Sequence, residues 1–198
     1  MTGDPRRPPP DRFNVWRPHP WHGLETGPQA PDVVSTYIEI CPFDLVKYEV
    51  DKASGYLRVD RPQRTSSQPP TLYGFIPRTY CDDGDPLDAL VLGQEPVYPL
   101  TIVSARAIGV MRMRDEKGID DKIVAVRVHD PPFAEYTDQA QLPGHVLRQV
   151  RRFFEDYKAL EHKQVIVEDL LGPEQAVRII REALELYRRL RRGELVRV

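Results

Sequence analysis

Between Val33 and Val128 the chain is a succession of short apolar or alternating runs: "VVSTYIEI", "VKYEV", "YLRVD", "LYGFIP", "LDALVL", "TIVSARAIGVMRM" and "DKIVAVRV". Turn-forming stretches separate them, notably at Asp51 to Gly55, Glu95 to Pro99 and Asp115 to Gly118. Runs of this length between such punctuation predict strands, and several at this spacing with no intervening helix predict a barrel or sandwich. The period then changes. From about Leu142 to Glu161, the residues Val146, Val150, Phe153, Phe154, Tyr157 and Leu160 recur on one helical face. After "GPEQ", Ala176, Ile179, Ile180, Ala183, Leu184 and Tyr187 form a second stripe. Strands first and helices afterwards predict an α+β domain with two C-terminal helices laid on a barrel.

The first 31 residues differ. They hold eight of the 20 prolines, which remove backbone donors and fix φ. We expect an extended Pro-rich arm over 1–31 and one domain over 32–198. Phe13, Trp16 and Trp21 are costly to leave in water, so the later half of the arm is expected to pack on the domain, with Trp21 as its anchor.

With 198 residues and 40% hydrophobic content, the chain can bury a real core. Its 28 Lys and Arg against 30 Asp and Glu give a net charge of -2, which argues against a dedicated nucleic-acid binder. Arg188, Arg189, Arg191 and Arg192 fit the C-terminus of a helix, where cations oppose the macrodipole. Cys41 and Cys81 are too few for a disulfide framework and fit a reducing compartment. With no run of eighteen apolar residues and no apolar signal core, a soluble cytoplasmic protein without a membrane partner is expected.

The candidate chemistry lies in the acids. In "CDDGDPLDALVL", Asp82, Asp83, Asp85 and Asp88 crowd together at the entrance of a core strand. Gly84 permits a tight turn there and Pro86 stiffens the strand entry. Converging carboxylates are unstable unless a cation neutralises them, and hard oxygen donors favour Mg²⁺ or Mn²⁺ over Zn²⁺. The spacing does not fit an EF-hand loop, whose third acid and glycine fall elsewhere. His19 and His22 have ligand-like spacing but no Cys or His group to complement them. Two further segments place acids beside lysine: Lys47, Glu49 and Asp51 alternate on one strand, and "RDEKGIDDK" carries Asp115, Glu116, Asp120, Asp121 and Lys122. A barrel could gather all three in one mouth, where cations beside acids suit an anion held through metal ions.

"DGDPLDALVL" resembles the signature of the family I soluble inorganic pyrophosphatases. Further segments match that family in order and distance: "YIEI…VKYEVDKASGYLRVDR", "LYGFIP", "IGVMRMRDEKGIDDKIVAV" and "RRFFEDYKALE". The resemblance covers about Val33 to Lys163. It implies a small OB-like antiparallel β-barrel and Mg²⁺-dependent hydrolysis of pyrophosphate to two orthophosphates by metal-activated water, with Mn²⁺ as a possible substitute. It further implies Asp83, Asp88, Asp120 and Asp115 as metal ligands and Asp85 as the proton acceptor. Lys47, Arg61, Tyr73, Lys122, Tyr157 and Lys158 would hold the phosphoryl groups, and Glu39 and Glu49 would act mainly through metal-bound water. A homo-oligomer is implied, its number open. Pro69 and Leu72 depart from the family's aromatic and Asn. A metal-dependent hydrolase of nucleotides or polyphosphate and a non-catalytic OB-like member are the alternatives.

Overall fold

The computed structural model describes residues 18–63, 68–116 and 118–195, the side chains of Asp115 and Leu160 excepted. In chain order its elements are α1 (Pro20–Gly23), β1 (Val33–Ile40), β2 (Val46–Val50), β3 (Leu57–Pro62), β4 (Leu72–Phe75), β5 (Asp88–Leu92), β6 (Ile102–Asp115), β7 (Gly118–Arg127), α2 (Gly144–Asp156), β8 (Ile166–Leu171) and α3 (Pro173–Arg191). Strand β1 pairs with both β4 and β6, and β4–β5, β5–β7 and β7–β6 complete the circuit. Five strands thus close on one another as an OB-like barrel. β8 extends it beyond β6, while β2 and β3 form a separate antiparallel hairpin.

The expectation of an antiparallel barrel needs one correction, because β5 and β7 run parallel. Residues 93–101 carry the chain from β5 to the far side, where β6 pairs with β1. The tight turn after Asp115 then returns β7 between β6 and β5, in the direction of β5. A second correction concerns the first helix. It stops at Asp156, five residues earlier than expected, and the chain tightens into a 3₁₀ turn over Ala159–Glu161 that His162 ends at φ 56°. β8 was not expected.

Alternation along the strands builds two cores. Ala89 and Val91 face one way with Ala105, Ala107 and Ala125, and these small residues meet Ala176, Ile180 and Ala183 of α3. Leu90 and Leu92 face the other way with Ile108, Met111 and Met113, and meet Val150, Phe153 and Phe154 of α2. Burying each of those two phenylalanines contributes roughly 2 kcal/mol. In a third cluster Trp21, Val50, Phe75, Tyr80 and Tyr187 tie α1 to the hairpin and α3. Trp21 is 1% exposed, so the arm docks where expected; Phe13 and Trp16 lie outside the described residues. Among the described residues no helix is long and apolar enough to cross a membrane.

Candidate active site

The acid-rich loop joins β4 to β5. Gly84 sits at φ 87°, a conformation that favours glycine, and its N–H donates to Cys81 O at 3.0 Å. The Cys81 N–H donates to Asp85 O at 2.8 Å, and the Asp85 N–H to Asp83 Oδ1 at 3.1 Å. Thr79 closes the loop's neck: its hydroxyl donates to Ile76 O and accepts the Leu87 N–H, at 2.6 and 2.8 Å. Asp88 then opens β5 and accepts from the Tyr73 hydroxyl of β4 at 2.6 Å.

β7 answers from alongside. Asp120 and Lys122 share a face, and the Lys122 ammonium, 3% exposed as a residue, bridges Asp88 and Asp120, the latter at 2.6 Å. Burial works against that ammonium, but Asp88 and Asp120 outweigh it and hold its pKa well above the usual lysine value. Burial, reinforced by Asp88, likewise pushes the Tyr73 phenol well up. Asp121 points to the other face of β7, where Arg112 donates to both its oxygens at 2.9 and 2.7 Å.

The hairpin supplies most of the remaining charge. Lys47 and Arg61 are direct cross-strand partners, and both donate to Asp60, at 2.8 and 2.7 Å. Glu49 accepts twice from Arg58. Lys52, at the hairpin tip, pairs with Asp85. Glu39 of β1 is buried and accepts the Val50 N–H at 2.6 Å; burial, then Asp88, pushes its pKa up to about 8 against the pull of that hydrogen bond. From the end of α2, Tyr157 packs edge-on against Phe154, with the Lys158 ammonium 5.4 Å from its ring centre.

These groups line one cleft of about 680 Å³. Asp83, Asp85, Asp88, Asp120, Lys47, Arg61, Tyr73, Lys122, Tyr157, Lys158, Glu39 and Glu49 are all on its wall. The Asp115 side chain lies outside the description. Asp51, which alternates with Glu49, instead caps the hairpin turn by accepting the Ser54 N–H at 2.7 Å. Pro69 reaches the cleft, whereas Leu72 is buried in the barrel core opposite Val91. Of the two departures, only Pro69 touches the site.

The wall also carries Glu116, from the second acid segment, and three residues that the sequence reading missed: Lys52, Glu161 and Lys163. Glu161 pairs with Arg61 at 2.6 Å and Lys163 with Glu116 at 2.9 Å, so the chain after α2 is tied across the mouth to both flanks. Each lies within a few residues of a position already singled out, but only the fold shows which way it faces. Among the described residues no three acid, His or Cys side chains converge closely enough, as they stand, to cage an ion. The donor chemistry still fits a hard divalent cation, because the acid loop and β7 offer carboxylate oxygens on one side of the cleft. A cation bound there would compete with Lys122 for Asp88 and Asp120.

The model for inorganic pyrophosphatase matches residues 36–188, a range that holds the hairpin, the acid loop, β7 and the end of α2. The chain belongs to the inorganic pyrophosphatase family. Over 169 residues it is 53% identical to a soluble inorganic pyrophosphatase of Solanum tuberosum, covering 85% of this chain and 80% of that protein. It is 50% identical to soluble inorganic pyrophosphatase 2 of Chlamydomonas reinhardtii, covering 85% and 88%. The solved inorganic pyrophosphatase of Thermus thermophilus superposes with a TM-score of 0.82 at 35% identity, over 85% of this chain and 99% of that one. The barrel and cleft described above are thus a pyrophosphatase fold.

Proposed function

We propose that this chain hydrolyses inorganic pyrophosphate to two orthophosphates, with Mg²⁺ as the working cation and Mn²⁺ as a substitute. The observation that carries the reading is the convergence of the three acid-and-lysine segments on one cleft. Asp83, Asp88 and Asp120, joined by Asp115, would hold the cations, with Glu39 and Glu49 as outer supports. Bound there, the cations supply positive charge for the phosphoryl oxygens and acidify the attacking water.

The chain's own groups do the rest. Asp85 accepts the proton of the water whose oxygen attacks one phosphorus. The bridging P–O bond breaks and the second phosphate leaves with the bond's electrons. Lys122, released from Asp88 and Asp120, turns with Arg61, Lys47 and Lys158 to the charge that develops on it. Tyr157 donates a hydrogen bond to a phosphoryl oxygen, and Tyr73 does so once its hydroxyl leaves Asp88. We further propose a cytoplasmic homo-oligomer; exposed Tyr98 and Leu100, on the strand-linking loop before β6, offer apolar surface for association. Orthophosphate release from pyrophosphate, ATP and tripolyphosphate, with and without millimolar Mg²⁺, tests the activity. Rapid Mg²⁺-dependent release from pyrophosphate is expected; preferential release from ATP or tripolyphosphate overturns the substrate assignment.

A further inference from the structure

The two halves of the cleft belong to different sheets. The acid loop and β7 are built into the barrel, whereas Lys47, Glu49, Lys52 and Arg61 ride on a hairpin that, among the described residues, shares no ladder with it. The Lys52–Asp85 pair and the Val50 N–H bond to Glu39 cross between them, and a third tie comes from the N-terminal segment. The short helix α1 touches both sides. Its Trp21 indole N–H donates to Thr79 O at 2.8 Å, and its Trp21 carbonyl accepts the Arg78 N–H at 2.9 Å. Thr79 is the residue whose hydroxyl closes the neck of the acid loop. On the other side, His19 Nε2 donates to Lys52 O at 3.2 Å, at the hairpin tip. The fit is close: a Cβ on Gly55, which stands at φ 74°, would lie 2.9 Å from the His19 ring.

Trp21 also lines the cleft and stacks on Tyr80 with ring centres 6.3 Å apart. The next residue, His22, hydrogen-bonds the Tyr187 hydroxyl of α3 at 2.8 Å. α1 is therefore anchored on the C-terminal helix while it reaches the acid loop through one side chain and the hairpin through another. We propose that α1 is a positioning brace, in which Trp21 sets the acid loop for the cation and His19 sets the hairpin for the phosphoryl groups. The inference rests on the proposed pyrophosphatase reaction.

The two contacts predict separable effects. Trp21→Phe keeps an aromatic ring against Tyr80 but removes the donor to Thr79 O. It should raise severalfold the Mg²⁺ concentration at half-saturation, read by calorimetric titration with Mg²⁺ alone, and shift Mg²⁺ activation in parallel. His19→Ala should raise KM for pyrophosphate severalfold with Mg²⁺ half-saturation unchanged. Thr79→Val, which removes the hydroxyl at the loop's neck, should reproduce the Mg²⁺ effect and serves if Trp21→Phe does not fold. Wild-type protein is assayed first. Its inactivity towards pyrophosphate would sink the proposed reaction, while the Mg²⁺ titrations still judge the Trp21 contact. Variants that melt earlier but keep both the Mg²⁺ half-saturation and KM of the wild type would overturn the brace and leave α1 a structural plug.

Discussion

At the scale of single residues, the site is a set of carboxylates kept apart by ammonium groups. Lys122 has the most at stake, because it is nearly inaccessible and bridges Asp88 and Asp120. If a cation takes those acids and the lysine turns to phosphate, Lys122→Ala removes a competitor as well as a catalyst. Turnover should fall on the order of 100-fold, while Mg²⁺ binding measured by calorimetry stays unchanged or tightens. Weakened Mg²⁺ binding would contradict the exchange. Glu39 gives a pH signature. Its folded pKa of about 8 lies above its ordinary 4.5, so the native state holds a proton that the unfolded chain has lost between those values. Its contribution is full below the unfolded pKa and is lost as pH rises through the folded one. In metal-free protein, wild type should therefore lose about 1 kcal/mol per pH unit relative to Glu39→Gln across this window. Urea melts from pH 5 to 8 check this, and parallel curves for the two proteins would refute it.

Elements explain which part of the site could be read from sequence. Asp83, Asp85 and Asp88 were legible because one loop holds them, and Asp120 with Lys122 because strand period puts both on one face. The same period suggested that Asp51 would join Lys47 and Glu49, but the strand ends at Val50 and the Asp51 carboxylate caps the turn instead. Glu161 and Lys163 were hidden by the expectation of a helix running on to Glu161. The helix stops at Asp156, and the 3₁₀ turn swings the following acid and lysine over the mouth. β8 escaped notice because "VIVEDLL" is brief and lies between two helices. The loop before β6 leaves Tyr98 88% exposed and Leu100 at φ 73° and 53% exposed, which suits a contact between copies. Sedimentation equilibrium should give a mass above the 22.8 kDa of one chain, and Tyr98→Arg should reduce it. A wild-type monomer at micromolar concentration would remove this loop as an interface.

On the scale of the whole molecule, the barrel brings Asp88 and Asp120, 32 residues apart in sequence, to one wall and leaves the hairpin to face them. Parallel pairing of β5 with β7 does this directly. It aligns Ala89 with Ile123, and so sets Asp88 beside Lys122. Local periodicity could not foresee a parallel pair, since that depends on where the chain crosses between strands. Three of the four clustered tail arginines make surface ion pairs, Arg188 and Arg192 with Glu185 and Arg189 with Glu194. The central claim is that this one cleft performs cation-dependent pyrophosphate hydrolysis through the acid loop. The most direct measurement is the initial rate of orthophosphate release from pyrophosphate at saturating Mg²⁺, wild type beside Asp83→Asn. We predict rapid turnover by the wild type and a loss on the order of 100-fold or more in the variant, with its circular dichroism unchanged. Wild-type turnover retained in Asp83→Asn would contradict the account.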